Sequence, residues 1–149
     1  MPRTVLVTGG NRGIGRTIAE QFIAQGDRVA VTSRNGDAPE GALAVAADVT
    51  DSASLDAAYT TVENELGPVE IIVANAGITR DNLLMRMSDE EFEDVINTNL
   101  TGVYRTVRRG ITNLIRAKWG RIILISSVSG LYGVAGQANY SSSKAGLVG

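Results

Sequence analysis

The chain has 149 residues, 44% hydrophobic and 20% charged, which bounds it as one ordinary domain able to build a core. Its net charge of −2 gives no reason to expect a nucleic-acid partner. Cysteine and histidine are both absent, which excludes disulfides, thiolate metal sites, cysteine nucleophiles and imidazole acid–base chemistry. Any proton transfer falls to Asp, Glu, Lys, Tyr or Arg-assisted groups.

Met1 to Thr4 leads straight into Val5-Leu6-Val7, a run too short for a signal peptide and closed by glycines. Nothing approaches the ~20 apolar residues of a membrane span, so the expected setting is cytoplasmic, with no membrane partner. Thr4 to Thr8 predicts a buried strand. A glycine-rich turn, Gly9 to Gly15, precedes a helix predicted over Arg16 to Gln25, with Ile18, Phe22 and Ile23 on its apolar face and Gly26 as its stop. Arg28 to Thr32 predicts a second strand, Ser33 to Gly41 a loop, and Leu43 to Ala47 a weaker third strand. Ser52 to Leu66 is helical in spacing and ends at Gly67-Pro68; Glu70 to Ala74 predicts the fourth strand.

Ser88 and Glu91 form a capping-box pattern. It opens a long helical stretch to about Lys118, bent near Asn97 to Gly102. Arg121 to Ile125 predicts the fifth strand, Ser126 to Asn139 a loop, and Tyr140 onward another helix. Apolar strands alternating with amphipathic helices imply a doubly wound α/β domain, a Rossmann-type parallel sheet with helices on both faces. No repeat or linker divides residues 1–149. The last helix is cut at Gly149 and the fifth strand has nothing to cover its edge, so the expectation is a longer protein truncated after the start of the Tyr140 helix.

Thr8-Gly9-Gly10-Asn11-Arg12-Gly13-Ile14-Gly15 lies between the first strand and the first helix, where a dinucleotide pyrophosphate meets a helix N-terminus. Glycines there allow a tight turn and close phosphate approach. The spacing is neither GxGxxG nor a Walker loop. The second strand ends in Thr32-Ser33-Arg34-Asn35, and the first acid is Asp37. An acid at the strand end would suit NAD, whereas Arg34, with Arg12 from the glycine turn, suits a 2′-phosphate, so NADP(H) is the expected cofactor.

Tyr140 and Lys144 are four residues apart and share one face of a helix. A lysine charge beside a phenol favours the phenolate, which tunes the hydroxyl for proton donation to a carbonyl near neutral pH. Ser127 follows the fifth strand at the carboxyl edge of the sheet, and its hydroxyl could hold the same carbonyl oxygen. Of the other tyrosines, Tyr59 and Tyr104 read as packing residues. Tyr132 reads as packing or as pocket lining.

With Thr8-Gly-x-x-x-Gly13-x-Gly15, Asn75-Ala76-Gly77, Ser127 and Tyr140-x-x-x-Lys144 in order, the chain resembles the short-chain dehydrogenase/reductase family over essentially its whole length. The interval of thirteen positions from Ser127 to Tyr140 matches the family pattern and favours Ser127 over its neighbours Ser126 and Ser129. Gly9-Gly10-Asn11-Arg12-Gly13, Asn97-Thr98-Asn99-Leu100-Thr101-Gly102 and Gly136-Gln137-Ala138-Asn139-Tyr140 carry a closer likeness to the 3-oxoacyl-[acyl-carrier-protein] reductases.

The resemblance implies that Tyr140 is the acid–base residue and that Lys144 binds the nicotinamide ribose and lowers the Tyr140 pKa. It implies that Ser127 orients the substrate oxygen and that Asn99 anchors a water in a proton relay with Lys144. Gly9, Asn11, Arg12, Gly13, Ile14, Gly15 and Arg34 would hold the cofactor with Tyr140 and Lys144, Asn75, Ala76 and Gly77 would line it, and Asp48 and Val49 would touch the adenine. The implied reaction is NADPH-dependent reduction of a 3-oxoacyl thioester on acyl carrier protein, in fatty acid biosynthesis, by a homotetramer or homodimer. Part of the basic set Arg105, Arg108, Arg109, Arg116, Lys118 and Arg121 could steer the acidic carrier protein, although a solvated helix face explains most of it. A related oxidoreductase acting on a steroid, sugar or small alcohol, and an inactive nucleotide-binding fragment, stand as alternatives.

Overall fold

The computed structural model describes residues 1–149. Five strands form one sheet: β1 (Thr4–Thr8), β2 (Arg28–Ser33), β3 (Ala42–Ala46), β4 (Ile71–Ala74) and β5 (Arg121–Leu124). Their order is β3-β2-β1-β4-β5, and every neighbouring pair is parallel. The connections are α1 (Gly13–Ala24), α2 (Ser52–Leu66), then α3 (Asp89–Ile96) and α4 (Gly102–Ala117). After β5 come α5 (Ser129–Tyr132) and α6 (Ala138–Val148). This is the doubly wound α/β arrangement that the alternation of strand and helix predicts.

Period-two alternation divides the core between the two faces of the sheet. Leu6, Ala30 and Ile72 pack with Ala58, Tyr59 and Val62 of α2 and Leu114 of α4. Val5, Val7, Val29, Val31, Ile71 and Val73 face Ala19 of α1, with Ile18, Phe22 and Ile23 against them. The chain reverses direction across the sheet between β1 and β4, and the crevice of such a fold opens there, outside the carboxyl ends of the strands.

Local signals behave as their chemistry requires. Ser88 Oγ accepts the Glu91 N–H at 3.1 Å and the Glu91 carboxylate accepts the Ser88 N–H at 2.9 Å, closing the capping box. The bend expected near Asn97 is a π-helical turn over Asn97–Thr101, joining α3 to α4. Two helices start earlier than their apolar spacing suggests. The first helical hydrogen bond of α1 runs from the Arg16 N–H to the Arg12 carbonyl, and that of α6 from the Ser141 N–H to the Gln137 carbonyl. Residues 13–15 and 138–140 are thus enclosed in a first turn, where Ile14 is exposed and does not extend the apolar face of α1. The segment expected as loop from Ser126 to Asn139 contains α5. At β5, Ile122, Ile123 and Leu124 are each more than one-third exposed. No helix is long and apolar enough to cross a membrane.

Candidate active site

β1 delivers the glycine turn to the carboxyl edge, and β4 delivers Asn75 beside it. Asn75 Nδ2 donates to the carbonyls of Thr8 at 3.0 Å and Gly9 at 3.1 Å. Thr8 Oγ1 in return accepts the N–H groups of Asn75 and Ala76, each at 3.1 Å. The turn is therefore clamped to β4 by side chains, and Asn75 shapes it from behind. A Cβ on Gly15 would meet the Asn75 amide and lie 2.5 Å from the Gly9 carbonyl oxygen; one on Gly9 would lie 2.9 Å from the Ala76 Cα. Gly13, at φ +53°, faces open space, with no atom within 4 Å of where a Cβ would stand. Arg12 precedes α1 without making a side-chain cap, so the first amides of the helix keep no side-chain partner from that residue. The close packing behind the turn and the open space before it form a cradle suited to a dinucleotide pyrophosphate.

Arg34 is exposed just past β2, and Ile14 and Arg12 are exposed at the turn. Asp48 follows β3. Its carboxylate accepts from the Thr50 hydroxyl at 2.7 Å and the Thr50 N–H at 2.8 Å. These bonds hold the carboxyl below the usual range, with lesser help from the charges of Arg34 and Arg105. The Arg34 charge thus reaches Asp48, and Val49 beside Asp48 is buried.

β5 delivers Ser126 and Ser127, and α6 delivers Tyr140 and Lys144. Lys144 is 5% exposed, and its Nζ donates to the Ile125 carbonyl at 2.7 Å while lying 5.7 Å from the centre of the Tyr140 ring. Burial pushes this ammonium below the usual lysine range. Ser126 Oγ donates to the Lys144 carbonyl at 2.9 Å, so Ser126 ties β5 to α6. Ser127 Oγ accepts the Ser129 N–H at 3.1 Å, which starts α5 and leaves its hydroxyl hydrogen free to donate. A Cβ on Gly130 would stand 2.7 Å from Lys144 and Ala145 backbone atoms, so only glycine lets α5 lie this close to α6. Ser127, Tyr140 and Lys144 are thereby gathered at one edge.

Asn99 sits in the π-helical turn and is fully buried. Its Oδ1 accepts the Ile78 N–H at 2.8 Å. Its Nδ2 donates to the Ile78 carbonyl at 2.9 Å and to Ser143 Oγ at 3.2 Å. Ser143 Oγ donates in turn to the Tyr140 carbonyl at 2.7 Å. The Asn99 side chain therefore braces the stretch after Gly77 and helix α6. A Cβ on Gly77 would lie 3.2 Å from Asn99 Oδ1.

Sequence reading overlooked several of these supports: Ser126 as a tie, Ser143, and Asn139 beside Tyr140. Sidedness on α6 offered one signal, since Asn139 and Ser143 are four apart on a buried face. Tyr59 is core, and Tyr132 is 84% exposed. Among the basic residues of α4, Arg109 is engaged by Asp56 and Glu63 and stacks 5.1 Å from the Tyr59 ring centre, whereas Arg108 and Arg116 are exposed.

Comparison with known proteins agrees with this geometry. The family model described as short chain dehydrogenase matches residues 3–149. The chain is similar to the 3-oxoacyl-[acyl-carrier-protein] reductase MabA of Mycobacterium tuberculosis, with 54% identity over 147 residues, covering 99% of this chain and 60% of the relative. It is 46% identical over 155 residues to the 3-oxoacyl-[acyl-carrier-protein] reductases FabG of Escherichia coli and Vibrio harveyi, covering 99% of this chain and 64% of each relative. The chain thus spans about 60% of the length of the MabA relatives it matches. The clamped glycine turn, the Ser127, Tyr140 and Lys144 edge and the match over residues 3–149 lead to one conclusion: the chain belongs to the short-chain dehydrogenase family.

Proposed function

We propose that this chain carries the cofactor site and proton-transfer groups of an NADP(H)-dependent 3-oxoacyl thioester reductase, acting on acyl groups borne by acyl carrier protein. The observation that carries the reading is the meeting of Lys144, Tyr140 and the Ser127 turn at the sheet edge that also bears the glycine cradle. Its relatives' names point to the same substrate class.

A bound nicotinamide supplies the hydride in this chemistry. The amides of the Gly9–Gly15 turn hold the pyrophosphate, Arg34 and Arg12 hold the 2′-phosphate, and Asp48 and Val49 border the adenine. Ser127 donates a hydrogen bond to the substrate oxygen and fixes its direction. Tyr140 gives that oxygen its proton, and Lys144 stabilises the negative charge left on the phenol oxygen. Both N–H donors of the Asn99 amide are taken within the protein, so a relay water beside it would be held by the remaining acceptor site of Oδ1 or by backbone groups of the π-helical turn. Arg108 and Arg116 are the exposed cations of α4 free to steer an acidic carrier domain; Arg109 is committed to Asp56 and Glu63.

The test is direct. Protein, NADPH and an acetoacetyl thioester are mixed and nicotinamide absorbance is followed. The expected result is oxidation of NADPH that Tyr140→Phe slows about 100- to 10,000-fold without loss of cofactor binding. Near-normal turnover in that variant removes the mechanism, and NADPH binding with no turnover reduces the chain's role to nucleotide binding.

A further inference from the structure

Asn139 immediately precedes Tyr140, and none of the roles given to Ser127, Tyr140, Lys144 or Asn99 involves it. It is fully buried. Its Nδ2 donates to the Arg80 carbonyl at 2.8 Å and to the Glu91 carbonyl at 3.0 Å. Its Oδ1 accepts the Tyr140 N–H at 2.7 Å. One side chain thus joins three segments: the stretch after β4, helix α3 and the first turn of α6.

The chemistry requires a primary amide. Two donors and one acceptor in a single plane serve two carbonyls and one N–H; a carboxylate has no donor, and a hydroxyl has one. Two further bonds lie alongside. The Asn82 N–H donates to the Gly136 carbonyl at 3.0 Å, and Gln137 Nε2 donates to the Asp81 carboxylate at 3.0 Å. Residues 80–82 are therefore seamed to residues 136–139. The seam ends at the first turn of α6, where helix amides have no partner within the helix. The Tyr140 amide is one of these, and Asn139 supplies its acceptor.

We propose that Asn139 is a positioning residue for Tyr140, setting where the first turn of α6 sits and hence where the phenol stands relative to Ser127. This rests on the reductase reading given above. Reacting groups must be held to within about 0.5 Å, and a misplacement of about 1 Å can cost about 100-fold in rate. Without the amide, the Arg80 and Glu91 carbonyls lose the side-chain donors that tie them to α6, and the turn that carries Tyr140 is no longer held against them.

The test compares the wild-type chain with N139A, N139D and N139S. Affinity for NADPH is expected to change much less than kcat, because the glycine turn proposed to hold the pyrophosphate is held from β4 and not from α6. The kcat for an acetoacetyl thioester is expected to fall about 10- to 100-fold in N139A, with KM changing much less. N139D keeps the acceptor for Tyr140 but loses both donors, and is expected to fall at least as far. N139S keeps one donor and is expected to fall between wild type and N139A; it also serves if N139A does not fold.

A second readout does not depend on turnover. With tyrosine labelled with ¹³C at Cζ, the Tyr140 resonance is identified through Y140F. It is expected to move or split in the Asn139 variants, while that of the exposed Tyr132 stays in place. A folded variant with wild-type kcat, or with an unmoved Tyr140 resonance, overturns the proposal. A wild-type chain without turnover defeats the reductase reading alone, and the resonance then decides the role of Asn139.

Discussion

The Lys144 ammonium donates to the Ile125 carbonyl at 2.7 Å, so the cation on α6 is anchored to the residue that follows β5. Burial opposes its charge, and no carboxylate is paired with it. The position therefore makes a poor stabiliser, which fits the role proposed for it. Lys144→Met removes a costly buried charge but leaves the Ile125 carbonyl unpaired, two effects of opposite sign. The expected outcome is a melting temperature within about 4 °C of wild type, with thioester reduction slowed at least about 100-fold. A scan of thermal unfolding beside a turnover assay checks both halves.

The glycine turn separates packing from backbone strain. At Gly15 an added methyl meets the Asn75 amide and the Gly9 carbonyl, so Gly15→Ala must push the turn off β4. At Gly13 the methyl enters open space and meets only the cost of a positive φ, about 1–2 kcal/mol for an L-residue. Both variants are expected to lose NADPH affinity. Only Gly15→Ala is expected to disturb the amides of Asn75 and Ala76, which hydrogen exchange at those positions reads.

Much of this was legible in the sequence, and what was not has a common cause. Val5-Leu6-Val7 and Ile71-Ile72-Val73 announce buried parallel strands because both faces of the sheet are covered, and Ser88 with Glu91 announces a helix start because the cap is local. Tyr140 and Lys144 could be paired because a spacing of four puts them on one helix face, whereas Ser127 was singled out by the interval of the family pattern the chain resembles. Asn139 and Asn75 were illegible in their supporting roles, since their partners are far along the chain: Arg80 and Glu91 for one, Thr8 and Gly9 for the other. Buried polar satisfaction is decided by tertiary placement. The same holds for the starts of α1 and α6, whose first turns have no intrahelical donor bonds to leave a pattern.

Tyr59 shows how tightly α2 and α4 meet. It is fully buried, and its hydroxyl donates to the Thr106 carbonyl at 2.8 Å. Burial raises its pKa above the usual phenol range, so it stays a neutral donor. Tyr59→Phe removes an extra bond from a carbonyl that keeps its helical partner in α4, and is expected to cost about 0.5–1.5 kcal/mol. Opposite it, a Cβ on Gly110 would lie 2.5 Å from Ile72 Cδ1 and 2.8 Å from the Tyr59 hydroxyl. Gly110→Ala is expected to destabilise by about 1–3 kcal/mol through overpacking. Urea unfolding of the two variants and of the double variant measures their coupling, which is expected to be non-additive because the groups touch.

Acid stability turns on Asp27. Its carboxylate receives the Arg3 guanidinium and the Arg3 N–H, and the side chain is 4% exposed. The Arg3 hydrogen bond holds the carboxyl below its usual range against the opposing effect of burial. A depressed folded-state pKa contributes stability above the unfolded value, near ~4, which is lost as pH falls through the folded value. The wild-type chain is therefore expected to lose urea resistance more steeply than Asp27→Asn below about pH 4, with the two curves converging at lower pH. Parallel slopes through that window contradict the assignment.

Cofactor choice is the point where Arg34 acts. Arg34 is exposed just past β2, and its charge is a lesser influence on the Asp48 carboxyl, which Thr50 mainly holds. A 2′-phosphate carries more charge and offers several acceptor oxygens, and an exposed guanidinium can turn toward it while Thr50 keeps Asp48 in place. Arg34→Ala is expected to weaken NADPH binding about 10- to 100-fold and to leave NADH binding nearly unchanged, because only the phosphate is lost as a partner. Asp48→Asn, which removes the competing charge and keeps the Thr50 contacts, is expected to shift preference the other way, toward tighter NADPH. Titrations of both cofactors against the two variants test this, and NADH binding tighter than NADPH in the wild-type chain would remove the role given to Arg34 and Arg12.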